Sequence, residues 1–251
     1  MSALSVFALR LAAGMIACLL LLSPADVNPR FYRVHFLTAL GLTGLAAVFV
    51  RQSGGWPLWT LLIAGMVLAL AGSLSWFLDK APGGRTLIVL TALALAGSLA
   101  CLEASDPAAS RTPLITAMAD VTSATVLGSA LSAMLMGHSY LIAPSMSLRP
   151  LLMLIATLAI AVVGRMAVDG FIVWSWTGGR FTGTLDNEVI LLLLVRWAVG
   201  FAGVLGLTWM AWQTARIRST QSATGILYVV VIFCFLGELT GQLLTGSSHA
   251  L

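Results

Sequence analysis

The stretch TGILYVVVIFCFLGELTGQLLT, residues 224–245, decides the fold. It is apolar for the about 17–25 residues that a helix needs to cross a bilayer, and its one formal charge is Glu238. Seven further runs have the same character: Leu4–Leu22, Val34–Val50, Pro57–Phe77, Thr86–Leu102, Leu114–Gly137, Pro150–Val168 and Glu188–Trp212. Short segments rich in Gly, Pro, Ser or charge separate most of them, among them Ser23-Pro24-Ala25-Asp26 and Gly178-Gly179-Arg180. The runs lack the alternation of a barrel strand, and an open strand edge is not tolerated in lipid. The expected fold is therefore all-α, a polytopic transmembrane bundle of about eight helices forming a single integral-membrane domain over residues 1–251.

Composition agrees. Of the 251 residues, 59% are hydrophobic and 9% charged, with a mean hydropathy of +1.01, whereas a soluble domain carries about 25% charge. Intrinsic disorder and a disulfide scaffold built on three cysteines are both excluded. The net charge of +4 comes from singly scattered loop arginines, the pattern of a chain facing cytoplasm and anionic lipid; nucleic acid is not an expected partner. Arg10, the apolar Leu11–Leu22 and Ser23-Pro24-Ala25 together look like a secretory signal, but the eight-span reading retains them.

Eight spans sort the loops onto two faces. One face holds Arg30, Arg33, Lys80, Arg85, Arg149, Arg216 and Arg218, with Asp26 and Asp79. The other holds Arg51, Arg111 and Arg180, with Glu103, Asp106, Asp120, Asp169, Asp186 and Glu188. The positive-inside rule makes the first face cytoplasmic, placing both termini outside a bacterial inner membrane. The two longest connections, Glu103–Pro113 and Asp169–Asp186, then lie outside, with Trp174 and Trp176 expected at headgroup level.

An ionisable side chain at membrane depth costs several kcal/mol or more and needs a partner, a water path or a role. An outer group contains Arg10, Arg196 and Glu238, each roughly 10 Å below its face at 1.5 Å rise per residue. Spans seven and eight are sequential and antiparallel, so an Arg196–Glu238 pair is expected, with Gln242 one turn beyond. It reads either as a buried ion pair fixing helix register or as part of a proton path. An inner group contains His35, His138, Tyr32, Arg33, Tyr140 and Arg149. The two imidazoles share a depth at the inner boundary. Three readings stay open for them: axial ligands to a b-type haem, contact to a quinone carbonyl, or two interfacial histidines that never meet. Met136–Pro144 adds a helix break rich in donors, and Arg216–Tyr228 joins the last two spans with more polarity than a tight turn needs. His249 is expected to be exposed.

Neither CxxC, nor a Cys/His cluster, nor a Walker loop, nor a dinucleotide fingerprint occurs, and Cys18, Cys101 and Cys234 sit singly inside spans. Gly237-Glu238-Leu239-Thr240-Gly241-Gln242 resembles the Gly-Glu-x-x-Gly-Arg near the end of the membrane-anchor subunits of bacterial oxidoreductases of the DMSO reductase and NrfD-like class, with Gln242 where the arginine would be. The resemblance implies a quinone-binding bundle, using menaquinone or ubiquinone, that passes electrons to or from an iron–sulfur partner in a respiratory complex. On that reading His35, His138, Arg33, Tyr140 and Arg149 surround the quinone, and Arg10, Arg196, Glu238 and Gln242 serve a proton path or a second site. A small-molecule or ion transporter coupled through Arg196–Glu238, and a scaffold without chemistry, are the rival expectations.

Overall fold

The computed structural model describes residues 3–50, 55–78, 83–104, 112–142, 146–176 and 187–247. Arg51, Asp79, Lys80, Asp106, Arg111, Pro144, Arg180, Asp186, His249 and the Trp176 side chain lie outside that description. The described residues form eight helices long and apolar enough to cross a membrane, and no strand is found among them. They are α1 (Ala3–Cys18, continued by a 3-10 turn over Leu19–Leu21), α2 (Pro29–Val50), α3 (Trp56–Ser75), α4 (Gly84–Ala104), α5 (Pro113–Ile142), α6 (Arg149–Trp176), α7 (Asn187–Arg216) and α8 (Thr220–Ser247).

Local chemistry sets the boundaries. Proline stands at or next to the start of α2, α3, α5 and α6, where its missing N–H is not needed. Asn28 caps α2 by accepting the Arg30 N–H at 2.9 Å. Arg218, with φ of 61°, closes α7 in the left-handed conformation usual for a helix C-terminus, its N–H bonded to the Ala215 carbonyl. Three helices run five residues or more further at one end than hydropathy suggests. α6 continues to Trp176, so Asp169 is helical and does not open a loop; α2 begins at Pro29, which takes in Arg30 and Arg33; and α5 continues to Ile142, so Met136 to Tyr140 are helical where a break is expected. These extensions carry polar residues that an apolar window cuts off.

The helices form two rings of four. α1 packs on α2, α2 on α3, α3 on α4, and α4 back on α1; α5 to α8 close in the same order. The rings meet where α1 crosses α5, and α1 is the most deeply enclosed span, 78% of its apolar window being buried inside the protein. Glycine makes that crossing possible. A Cβ on Gly14 would overlap the Ala124 carbonyl, and one on Gly128 would overlap the Gly14 backbone. Residues 10, 14 and 18 of α1 and 120, 124, 128 and 132 of α5 recur at helical spacing, so each set lines one face of its helix along this seam. The seam carries a polar group at each end and glycine in the middle.

The first span, despite its signal-like sequence, is thus the axis of the bundle. Trp174 is exposed near the end of α6.

Candidate functional site

Two buried polar groups sit on the α1–α5 seam. The larger lies toward the end of the bundle where α1 starts and α8 finishes, hereafter the terminus end.

Arg10 and Asp120 are each the eighth residue of their helix, which sets them at matching depth. Arg10 Nε and Nη2 donate to Asp120 Oδ1 at 2.9 and 2.6 Å, and Nη2 also reaches Glu103 Oε1 of α4 at 3.4 Å. One turn along α5 from Asp120, Ser123 donates its hydroxyl to Glu238 Oε2 of α8. Glu238 Oε1 accepts from Arg196 Nη1 of α7 at 3.0 Å and from Arg165 Nε of α6 at 3.4 Å. Asp169 closes the circuit: its Oδ2 lies 2.8 Å from both Nε and Nη2 of Arg196, and its Oδ1 lies 3.2 Å from Arg165 Nη1. Arg165 Nη1 also reaches the Ala119 carbonyl at 3.4 Å. Two ion-pair groups, Glu103–Arg10–Asp120 and Asp169–Arg165–Arg196–Glu238, thus adjoin along α5 through Ser123, and together they draw on α1, α4, α5, α6, α7 and α8.

Burial makes this more than a surface network. Arg196 and Glu238 are each 2% exposed, so neither charge is solvated by bulk water, and each depends on the groups packed against it.

The backbone is shaped to admit Arg196. Residues Val195–Gly203 are π-helical, a rare form found frequently at functional sites. Within that segment Gly200 meets Gly237 of α8 so closely that a Cβ on Gly237 would stand 2.6 Å from the Gly200 Cα. A Cβ on Gly241 would stand 3.2 Å from Arg196 Cζ. The Gly237-x-x-x-Gly241 spacing thus brings the two backbones together at one residue and clears space for a guanidinium at the next. The Phe201 ring lies under the same guanidinium at 4.4 Å, a cation–π contact that solvates the charge on its open face.

The smaller group lies toward the other end. His35 Nδ1 sits 2.9 Å from the Phe31 carbonyl one turn back, which accepts the ring proton and leaves Nε2 to accept from Ser132 Oγ at 3.0 Å. The Cys18 thiol reaches the same hydroxyl. Three helices are pinned by one hydroxyl in a dry core. Ser132→Ala is expected to leave the imidazole nitrogen without a partner and to cost about 1–3 kcal/mol, read as a lowered thermal midpoint in detergent with the helical signal retained.

The residues expected around a quinone or haem do not converge. Both ring nitrogens of His35 are engaged inside the bundle, whereas His138, on the helix that supplies Ser132, is exposed. Equal depth fixed neither ring's direction around its helix axis. The Tyr140 hydroxyl donates to the Ser147 carbonyl, Arg33 lies 4.9 Å over the Phe77 ring, and Arg149 is exposed. At the terminus end, by contrast, Arg10, Arg196 and Glu238 are drawn into one centre, with Gln242 a turn beyond Glu238 on α8. Sequence reasoning misses five members. Arg165 is absorbed in the apolar window Pro150–Val168, Glu103, Asp120 and Asp169 sort with the outer face, and Ser123 carries no signal of its own. The Arg165/Asp169 spacing of four, one turn of helix, was the available clue.

The chain is 30% identical over 167 residues to the histidine protein kinase DivJ of Caulobacter vibrioides, a match covering 62% of this chain and 27% of that protein. The chain thus spans about a quarter of the length of this relative. No protein-family model matches the sequence. No solved structure matches it either.

Proposed function

We propose that this chain is a membrane-embedded signal-input bundle, in which the centre around Arg196, Glu238 and Asp169 sets the relative position of the helices and a stimulus changes it. The single observation that carries the reading is a buried network tying six spans around a π-helical segment, in a chain whose likeness is to a histidine protein kinase. The 167 matched residues come from a chain that is nearly all membrane helix, so the shared portion is of the membrane-spanning kind. What a membrane portion contributes to such a protein is a change of state, and that requires an element with two discrete arrangements. A chain of alternating charges in low dielectric meets this requirement, because moving one partner leaves its neighbour uncompensated and forces a concerted exchange. The loop cations Arg30, Arg33, Arg85, Arg149, Arg216 and Arg218 lie at the opposite end, which by the positive-inside rule supports a reading with the centre on the outer side of the membrane and the signal's exit inside.

The quinone-anchor reading, with its iron–sulfur partner, rests on residues that lie apart. The transporter reading shares the same centre and is separated by experiment. The chain is purified from its native membrane with its bound neighbours and incubated with labelled ATP. Acid-labile phosphoryl label on the complex is expected, and Ser123→Ala, which removes one hydrogen bond to Glu238, is expected to change the label at least threefold at unchanged chain abundance. Absence of label, or label indifferent to Ser123→Ala, overturns the proposal. Solute flux in vesicles without label would favour the transporter.

A further inference from the structure

Gln242 is the member of the centre that the ion pairs do not use. It lies one turn beyond Glu238 on α8, about 8 Å from the end of that helix at 1.5 Å rise per residue. Its amide oxygen and nitrogen are both shielded from solvent and neither has a hydrogen-bond partner among the described residues. Arg196 Nη2 lies 2.8 Å from Asp169 Oδ2 within the ion pair, but it makes no well-aligned hydrogen bond there. Two donors and an acceptor are thus withdrawn from bulk at one end of a buried centre. Folded proteins rarely leave such groups unpaired, and polar interior sites of this kind hold water making two to four hydrogen bonds.

We propose that Gln242 and the Arg196 Nη2–H hold ordered water, which opens the ion-pair centre to the aqueous phase at the terminus end. The ligand required is a small neutral molecule whose oxygen accepts from an N–H and whose own O–H donates to the Gln242 carbonyl oxygen. Water is the smallest molecule of that class. Gly241 supports the arrangement, since the absence of a Cβ there lets the Arg196 guanidinium lie across α8 in the turn that carries Gln242. The charged and titratable groups facing this centre are Arg10, Glu103, Asp120, Arg165, Asp169, Arg196, Glu238 and Cys234. All but Cys234 are engaged in ion pairs. Hydration therefore enters beside a fixed charge array and does not replace any part of it. The hydration itself stands apart from the signal-input reading; only its consequence, an aqueous route for the stimulus to the centre, rests on that reading.

The test is cysteine accessibility in nanodiscs. In a Cys101→Ser background, Gln242→Cys and Leu243→Cys are each treated with the cationic, water-soluble reagent 2-(trimethylammonium)ethyl methanethiosulfonate. Leu243 is 57% exposed on the helix surface that lipid covers; Cys18, buried toward the other end of the seam, is the internal control, and the rate of the Cys101→Ser chain, which keeps Cys234, is subtracted from both. Position 242 is expected to react at least tenfold faster than position 243. Equal rates overturn the proposal. A measurement on the unaltered chain guards against a cysteine variant that does not fold: radiolytic labelling in oxygen-18 water is expected to oxidise Phe201, which lies against Arg196, and to spare Phe36, buried in the other core. Phe201 as unlabelled as Phe36 also overturns it. Either failure leaves the phosphoryl-label experiment untouched.

Discussion

Glu238→Ala is expected to lower the thermal midpoint in detergent by about 10 °C, the largest effect of any single side-chain truncation in this protein. Arg196 and Arg165 both donate to its Oε1, and Ser123 donates to its Oε2. Removing the carboxylate leaves two guanidiniums and a hydroxyl without their shared acceptor in the protein interior. Breaking a buried pair by deleting one partner costs about 3–5 kcal/mol, and each kcal/mol is worth about 2–4 °C in a chain of this size. The decisive control is the double variant Arg196→Met with Glu238→Leu. It removes both charges, leaves Asp169 paired with Arg165 at 3.2 Å, and is expected to recover at least half of the loss. A double variant as unstable as the sum of the singles would show that the two side chains act separately.

The second large effect is steric. Gly14→Val is expected to prevent the two four-helix rings from closing, with little folded chain recoverable from the membrane. At this crossing the neighbouring atoms are the Ala124 carbonyl and the Gly128 Cα, so no flexible side chain is there to swing aside. Overpacking costs about 1–3 kcal/mol where side chains adjust, and here the helix axes themselves must separate. That movement also pulls Arg10 away from Asp120, one turn along the same seam. Gly44→Ala and Gly206→Ala are the controls. Nothing lies within 4 Å of a Cβ at either position, and alanine in a helix interior is favoured over glycine by about 1 kcal/mol. Unfolding midpoints of the three variants, measured side by side, check the prediction; a Gly14→Val chain as stable as Gly44→Ala would refute the close crossing.

Depth along each helix was readable from the chain alone, and direction around the helix was not. The two histidines illustrate the limit. His35 and His138 were placed toward the same end of the bundle by counting residues, yet one ring is enclosed against Ser132 and the other is exposed. In a soluble helix the polar face reveals which side is buried. In lipid both the outward and the inward faces are apolar, so the periodicity that would report direction is nearly absent. Arg196 and Glu238 escaped the difficulty because they lie on sequential antiparallel helices and carry charges that cannot be left in hydrocarbon.

Hydropathy also truncated α6, and with it the site. An apolar window ended at Val168, and Asp169 was read as the start of a loop. In the structure the helix continues because Arg165 and Arg196 neutralise that carboxylate inside the protein. A charge that appears to end a span can instead be its most interior contact.

Eight apolar runs, their lengths and the uneven spread of arginines among the loops were settled by composition and order, since transfer from water to lipid is close to additive along a local segment. Which guanidinium meets which carboxylate, the two-ring arrangement, and the enclosure of α1 at the centre depended on helices far apart in the chain approaching within a glycine's width. Such contacts are a property of packed surfaces, and no local window of residues contains them.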